Sequence, residues 1–88
     1  MAHFAQVTDN IVESVIVVDN SDCDNLPFPE SEPVGQAFIA SLGLEGTWLQ
    51  TSYSGSFRGV YAGLNYLFDP TIGEYGEFIL PLQPAPID

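Results

Sequence analysis

Apolar and polar residues alternate loosely over His3-Phe4-Ala5-Gln6-Val7. Thr8-Asp9-Asn10 follows, then the β-branched run Ile11-Val12-Glu13-Ser14-Val15-Ile16-Val17-Val18. Asn and Asp tolerate left-handed backbone and bond to it locally, so the polar triplet reads as a turn. Stiff β-branched side chains favour a pleated surface over a helix. Residues 2–18 are therefore expected to form a β-hairpin. Val15 to Val18 is apolar on both faces of its strand, which demands cover on both sides, from a helix or from another subunit.

The pattern then breaks. Residues 19–31 are acidic and irregular, with Phe28 held between Pro27 and Pro29 on a segment that proline keeps out of the helical region. The period becomes helical over residues 32–42. Ser31 is placed to cap this helix, Pro33 falls in its first turn, and Glu32 suits its positive end. Val34, Ala37, Phe38 and Leu42 recur at steps of three and four and form the expected packing face, widened by Ile39 and Ala40. Gly43 is the natural stop, with Gly46 closing the next turn. So short a helix needs a sheet to pack on.

Thr47-Trp48-Leu49-Gln50-Thr51 reads as a third strand, Trp48 and Gln50 on one face. Residues 52–63 interleave glycine and serine with Tyr53, Phe57 and Tyr61, predicting a long loop of extended backbone pinned by its aromatics. Leu64–Phe68 and Glu74–Ile79 make a second hairpin around an Asp69-Pro70-Thr71-Ile72-Gly73 turn. Beyond it Pro81, Pro84 and Pro86 predict an extended tail, which either lies along a neighbouring copy through Leu82 and Ile87 or frays as a free terminus. The fold class expected is α+β: a small antiparallel sheet of four to five strands with one short helix packed on it. Residues 1–80 form a single domain and 81–88 the tail.

Charge narrows the function. Twelve acids face one base, Arg58, for a net charge of -11 over 88 residues. No row of phosphates could be neutralised by such a chain, which argues against nucleic acid and against anionic membranes. With 45% hydrophobic residues it is too apolar for a disordered acidic tail. No basic leader followed by an apolar run stands at the start, and the longest apolar stretch falls far short of the roughly 20 residues of a membrane span. The single Cys23 allows no internal disulfide and suits a reducing compartment.

Catalytic chemistry is thinly represented. The one histidine, His3, and the one cysteine, Cys23, lie far apart in sequence, and no pair of carboxylates stands out among twelve acids. Asp19, Asp22, Asp24 and Glu30 cluster in one loop, but a calcium-loop register begun at Asp19 puts Ser21 and Cys23 at ligand positions and Asp24 where the turn glycine belongs. A solvated acidic loop is the better reading. Structural zinc lacks ligands. No glycine run has phosphate-loop form. The chain reads as a non-enzyme without metal or cofactor. Arg58 has two readings: an internal anchor with its fork on a carboxylate or carbonyls, or a bond to a partner subunit.

The segments Met1-Ala-His-Phe-Ala-Gln-Val7, Val17-Val-Asp-Asn20 and Phe28-Pro-Glu-Ser-Glu-Pro-Val-Gly35 carry a resemblance. So do Gly46-Thr-Trp-Leu-Gln-Thr-Ser-Tyr53 and Phe57-Arg-Gly-Val-Tyr-Ala-Gly63. Together they resemble a family of small proteins encoded by tailed phages of marine and cyanobacterial hosts. The resemblance implies a virion structural component, assembled in the host cytoplasm, with phage capsid or tail proteins as partners and many copies or a homo-oligomer in the particle. A capsid decoration or cement protein is the expectation. A tail, neck or fibre-attachment component and an acidic non-virion interaction module or inhibitor are the alternatives. Phe28, Trp48, Tyr53, Phe57, Arg58, Tyr61, Leu82 and Ile87 are the candidate interface residues.

Overall fold

In the computed structural model, which describes residues 1–81, the first hairpin closes through Asp9 and Asn10, both left-handed at φ 52° and 63°. Two positive φ values in a two-residue loop match the right-handed twist of the strands they join. The hairpin pairs β1 (Ala2–Thr8) with β2 (Ile11–Val18), and its register shifts at Gln6/Val7, where Glu13 is the extra residue of a bulge. A 3₁₀ turn (Asn20–Cys23) leads to α1 (Ser31–Ser41). The strands β3 (Thr47–Thr51), β4 (Leu67–Asp69) and β5 (Glu77–Ile79) follow. The five strands form one antiparallel sheet in the order β3-β1-β2-β4-β5. The fold is thus the α+β class expected.

Both faces of the sheet carry a core. On one, Ala2, Phe4, Val18, Cys23, Ile39 and Trp48 pack under α1. On the other, Ala5, Val7, Val12, Ala62, Phe68 and Phe78 pack under the long loop and the last strands. Cover on both sides thus comes from within the chain, although Val17 stays 53% exposed.

Four local expectations need correction. The helix buries Ser31, Gly35 and Ile39, whereas Ala37 and Leu42 of the expected face are exposed. Ile39 is fully buried and Phe38 packs beside it as expected, but Phe4 reaches the helix backbone at Gly35, so two small residues, Ser31 and Gly35, complete the contact stripe. Ser31 is not the cap either. Glu30 holds that position without a side-chain bond, and the buried Ser31 hydroxyl donates to Gln50 Oε1 at 2.6 Å. The second hairpin is shorter than its sequence suggests. Asn65 takes φ 68° and the Tyr66 N–H bonds back to Gly63, so residues 64–66 turn against Val12 before β4 begins. The loop after β3 also turns repeatedly instead of extending, with Gly55, Arg58 and Gly59 all at positive φ. The expected tail lies, from Leu82 onward, outside the described residues.

Candidate functional site

Arg58 occupies the seam between the two ends of the curled sheet. Its main-chain carbonyl accepts from the Phe78 N–H of β5, and the neighbouring Gly59 bridges Phe78 in parallel. Its side chain crosses to the opposite edge. Nη1 donates to the Gln50 carbonyl of β3 at 3.0 Å and pairs with Glu32 Oε2, and Nη2 donates to Glu32 Oε1 at 3.2 Å. Nε donates to the Tyr75 carbonyl at 3.0 Å. The guanidinium lies 5.1 Å from the Phe28 ring centroid and 5.7 Å from that of Phe68. The bonds of this fork are made within the chain, and its side chain is only 6% exposed.

The same cluster finishes the outer edge of β3. Glu32 Oε2 accepts from the Gln50 N–H at 2.8 Å, and Gln36 donates to the Trp48 carbonyl at 2.6 Å. Three side chains thus meet the Trp48 carbonyl and both main-chain groups of Gln50, which an edge strand would otherwise present to another chain. Phe28 and Phe57 stack face to face beside them, 3.9 Å between centroids, with Tyr75 edge-on to Phe28 at 5.0 Å.

A second aromatic group faces solvent. Tyr53 lies over His3 at 5.6 Å, and Tyr61 meets His3 edge-on at 5.4 Å and Tyr53 at 5.3 Å. Tyr53 is 76% exposed. A shallow cavity of about 230 Å³ adjoins this platform, lined by Met1, His3, Gln50, Ser52, Tyr53 and Phe57 among others. Partial burial, with the nearby terminal ammonium, lowers the His3 pKa, so the imidazole is neutral near pH 7. Burial raises the Tyr61 pKa and keeps its hydroxyl protonated.

The eight candidate interface residues thus separate. Tyr53 and Tyr61 share the exposed platform. Phe28, Phe57 and Arg58 form the seam. Trp48 sits in the helix-side core with its indole N–H on the Glu45 carbonyl at 3.1 Å. Leu82 and Ile87 lie outside the described residues. Sequence reasoning missed Glu32 as the partner of Arg58 and His3 as a member of the platform. The alternation of β1 could have exposed His3, since it puts His3 on the face opposite Phe4.

Among the described residues no group of three or more His, Cys, Asp or Glu is placed to hold a metal ion, and no helix is long and apolar enough to cross a membrane. Asp19 instead accepts from the Ser21 N–H and hydroxyl, both at 3.1 Å, which lowers its pKa. Cys23 is 2% exposed, and burial, reinforced by Asp22 and Asp24, raises its thiol pKa. Because the thiolate is the reactive form, alkylation of the native chain at pH 8 is expected to run about 100-fold slower than in denaturant. Equal rates would contradict the burial.

Comparison with known proteins finds no matching family model, no matching curated protein and no matching solved structure.

Proposed function

We propose that this chain is an accessory structural protein of a tailed-phage virion, bound to the capsid as a decoration or cement protein and acting by surface fit. The observation that carries the reading is the exposed Tyr53–Tyr61–His3 platform on a chain of net charge -11. Tyrosine offers a large amphipathic contact at low entropic cost and is enriched in interfaces. The sole basic side chain, Arg58, is held at the seam, so side chains offered to a partner are aromatic, apolar and acidic. The sequence resemblance supplies the phage setting. In a symmetric shell one modest contact is repeated many times, and weak sites then bind firmly together.

Quantitative mass spectrometry of purified virions tests the proposal. On the order of hundreds of copies per particle is the expected result, as shell symmetry requires. A count matching a single ring would move the protein to the neck or tail, the alternative reading. Absence from the particle would overturn both. Tyr53→Ala is expected to weaken attachment about tenfold with the melting curve unchanged, as for a truncated interface anchor.

A further inference from the structure

The outer side of β3 and the side of β2 turned away from β1 are finished differently. In an antiparallel ladder, residues alternate between those bonded to the strand on one side and those facing the other. The Trp48 and Gln50 main chains face outward from β3, where Gln36, Glu32 and Arg58 meet them. His3 and Ala5 therefore bond toward β3, and their β2 partners Val17 and Val15 turn their N–H and C=O groups away from β1. On that side β2 is paired only near its start, by Ile11 with Leu67 and by Val12 with Asn65 and Tyr66. Among the described residues no main-chain partner meets the outward N–H and C=O groups of Val15 or Val17. Val17 is 53% exposed, with Val15 and Ile16 half-buried beside it.

Charge selects the occupant. The free stretch is uncharged from Ser14 to Val18 and bounded by exposed Glu13 and Asp19. A second copy could add its own β2 about a two-fold axis. The register that uses both free valines would then set Glu13 opposite Asp19 of the other copy at each end, and like charges facing across a ladder destabilise it. We infer that the β2 edge is a strand-addition site for an extended segment of another protein, β-branched at its centre and carrying Lys or Arg opposite Glu13 and Asp19. Main-chain bonds would supply affinity and the flanking charges selectivity. The inference does not depend on the virion assignment, since it concerns the isolated chain.

The test uses two synthetic peptides with the sequence of residues 12–20, one unaltered and one carrying E13K and D19K, added to the isotope-labelled full chain. The basic peptide is expected to slow hydrogen exchange at the Val15 and Val17 amides about tenfold, with no such effect from the unaltered peptide. Placing E13K and D19K in the chain instead reverses the preference. Failure of the basic peptide to protect these amides overturns the inference, as does equal protection by both peptides. Protection that appears in the free chain with rising concentration assigns the edge to a second copy. Protection in the free chain at every concentration shows the edge already filled from within. Either result overturns it.

Discussion

Arg58→Met is expected to destabilise the fold by about 3–5 kcal/mol, the range for breaking a buried ion pair and leaving one charge behind. Glu32 is then left 16% exposed without its cation, and the Gln50 and Tyr75 carbonyls lose their donor. Because the residue bridges β3, α1 and the β5 end, the loss reaches three elements at once. Small domains are only marginally stable, so a melt in urea should show much of the stability gone. Removing both charges in an Arg58→Met, Glu32→Gln pair should recover part of it, since a glutamine oxygen can still accept from the Gln50 N–H. If Arg58→Met leaves the midpoint unchanged, the seam contributes nothing. Lysine is not expected to substitute fully, because it lacks the planar fork that meets a carboxylate and two carbonyls together.

Gly35→Ala is expected to be damaging too, though less so. A methyl group there would lie 2.7 Å from Phe4 Cε1 and 3.0 Å from Cys23 Sγ, with Phe4 Cζ closer still. Phe4 is fully buried and has no room to withdraw. Overpacking of this kind costs about 1–3 kcal/mol, against the gain of several tenths that alanine ordinarily brings to a helix interior. Phe4→Leu should be destabilising alone yet milder when combined with Gly35→Ala. Purely additive losses would mean that the two residues do not meet. Chemical denaturation of the four proteins decides it.

These two sites also mark where the sequence is legible. The first hairpin is local: β-branched residues and an Asp-Asn turn specify it with no help from distant residues. The placement of α1 and β3 follows from equally local signals, Pro33, Gly43 and the alternation around Trp48. The helix face follows only in part, because periodicity weighs large apolar side chains: it finds the buried Ile39, but not Ser31 or Gly35, the position that Phe4 reaches. What selects that stripe is a phenylalanine in another element. The Glu32–Arg58 pair is hidden for the same reason. Twelve acids offer the arginine a choice, and only the curl of the sheet brings one of them near. The aromatic loop was recognisable as pinned, but which ring would face inward depended on the positive φ at Arg58 and its neighbours.

The sealed margin of β3 has a consequence for growth. Fibrils and open filaments need units that are sticky on two sides, so that each joined unit recruits the next. Here one side is closed by Gln36, Glu32 and Arg58, so a unit joined along β2 has no matching β3 margin to pass the pairing on. Pairing that starts along β2 therefore finds no continuation at β3 and stops after one step.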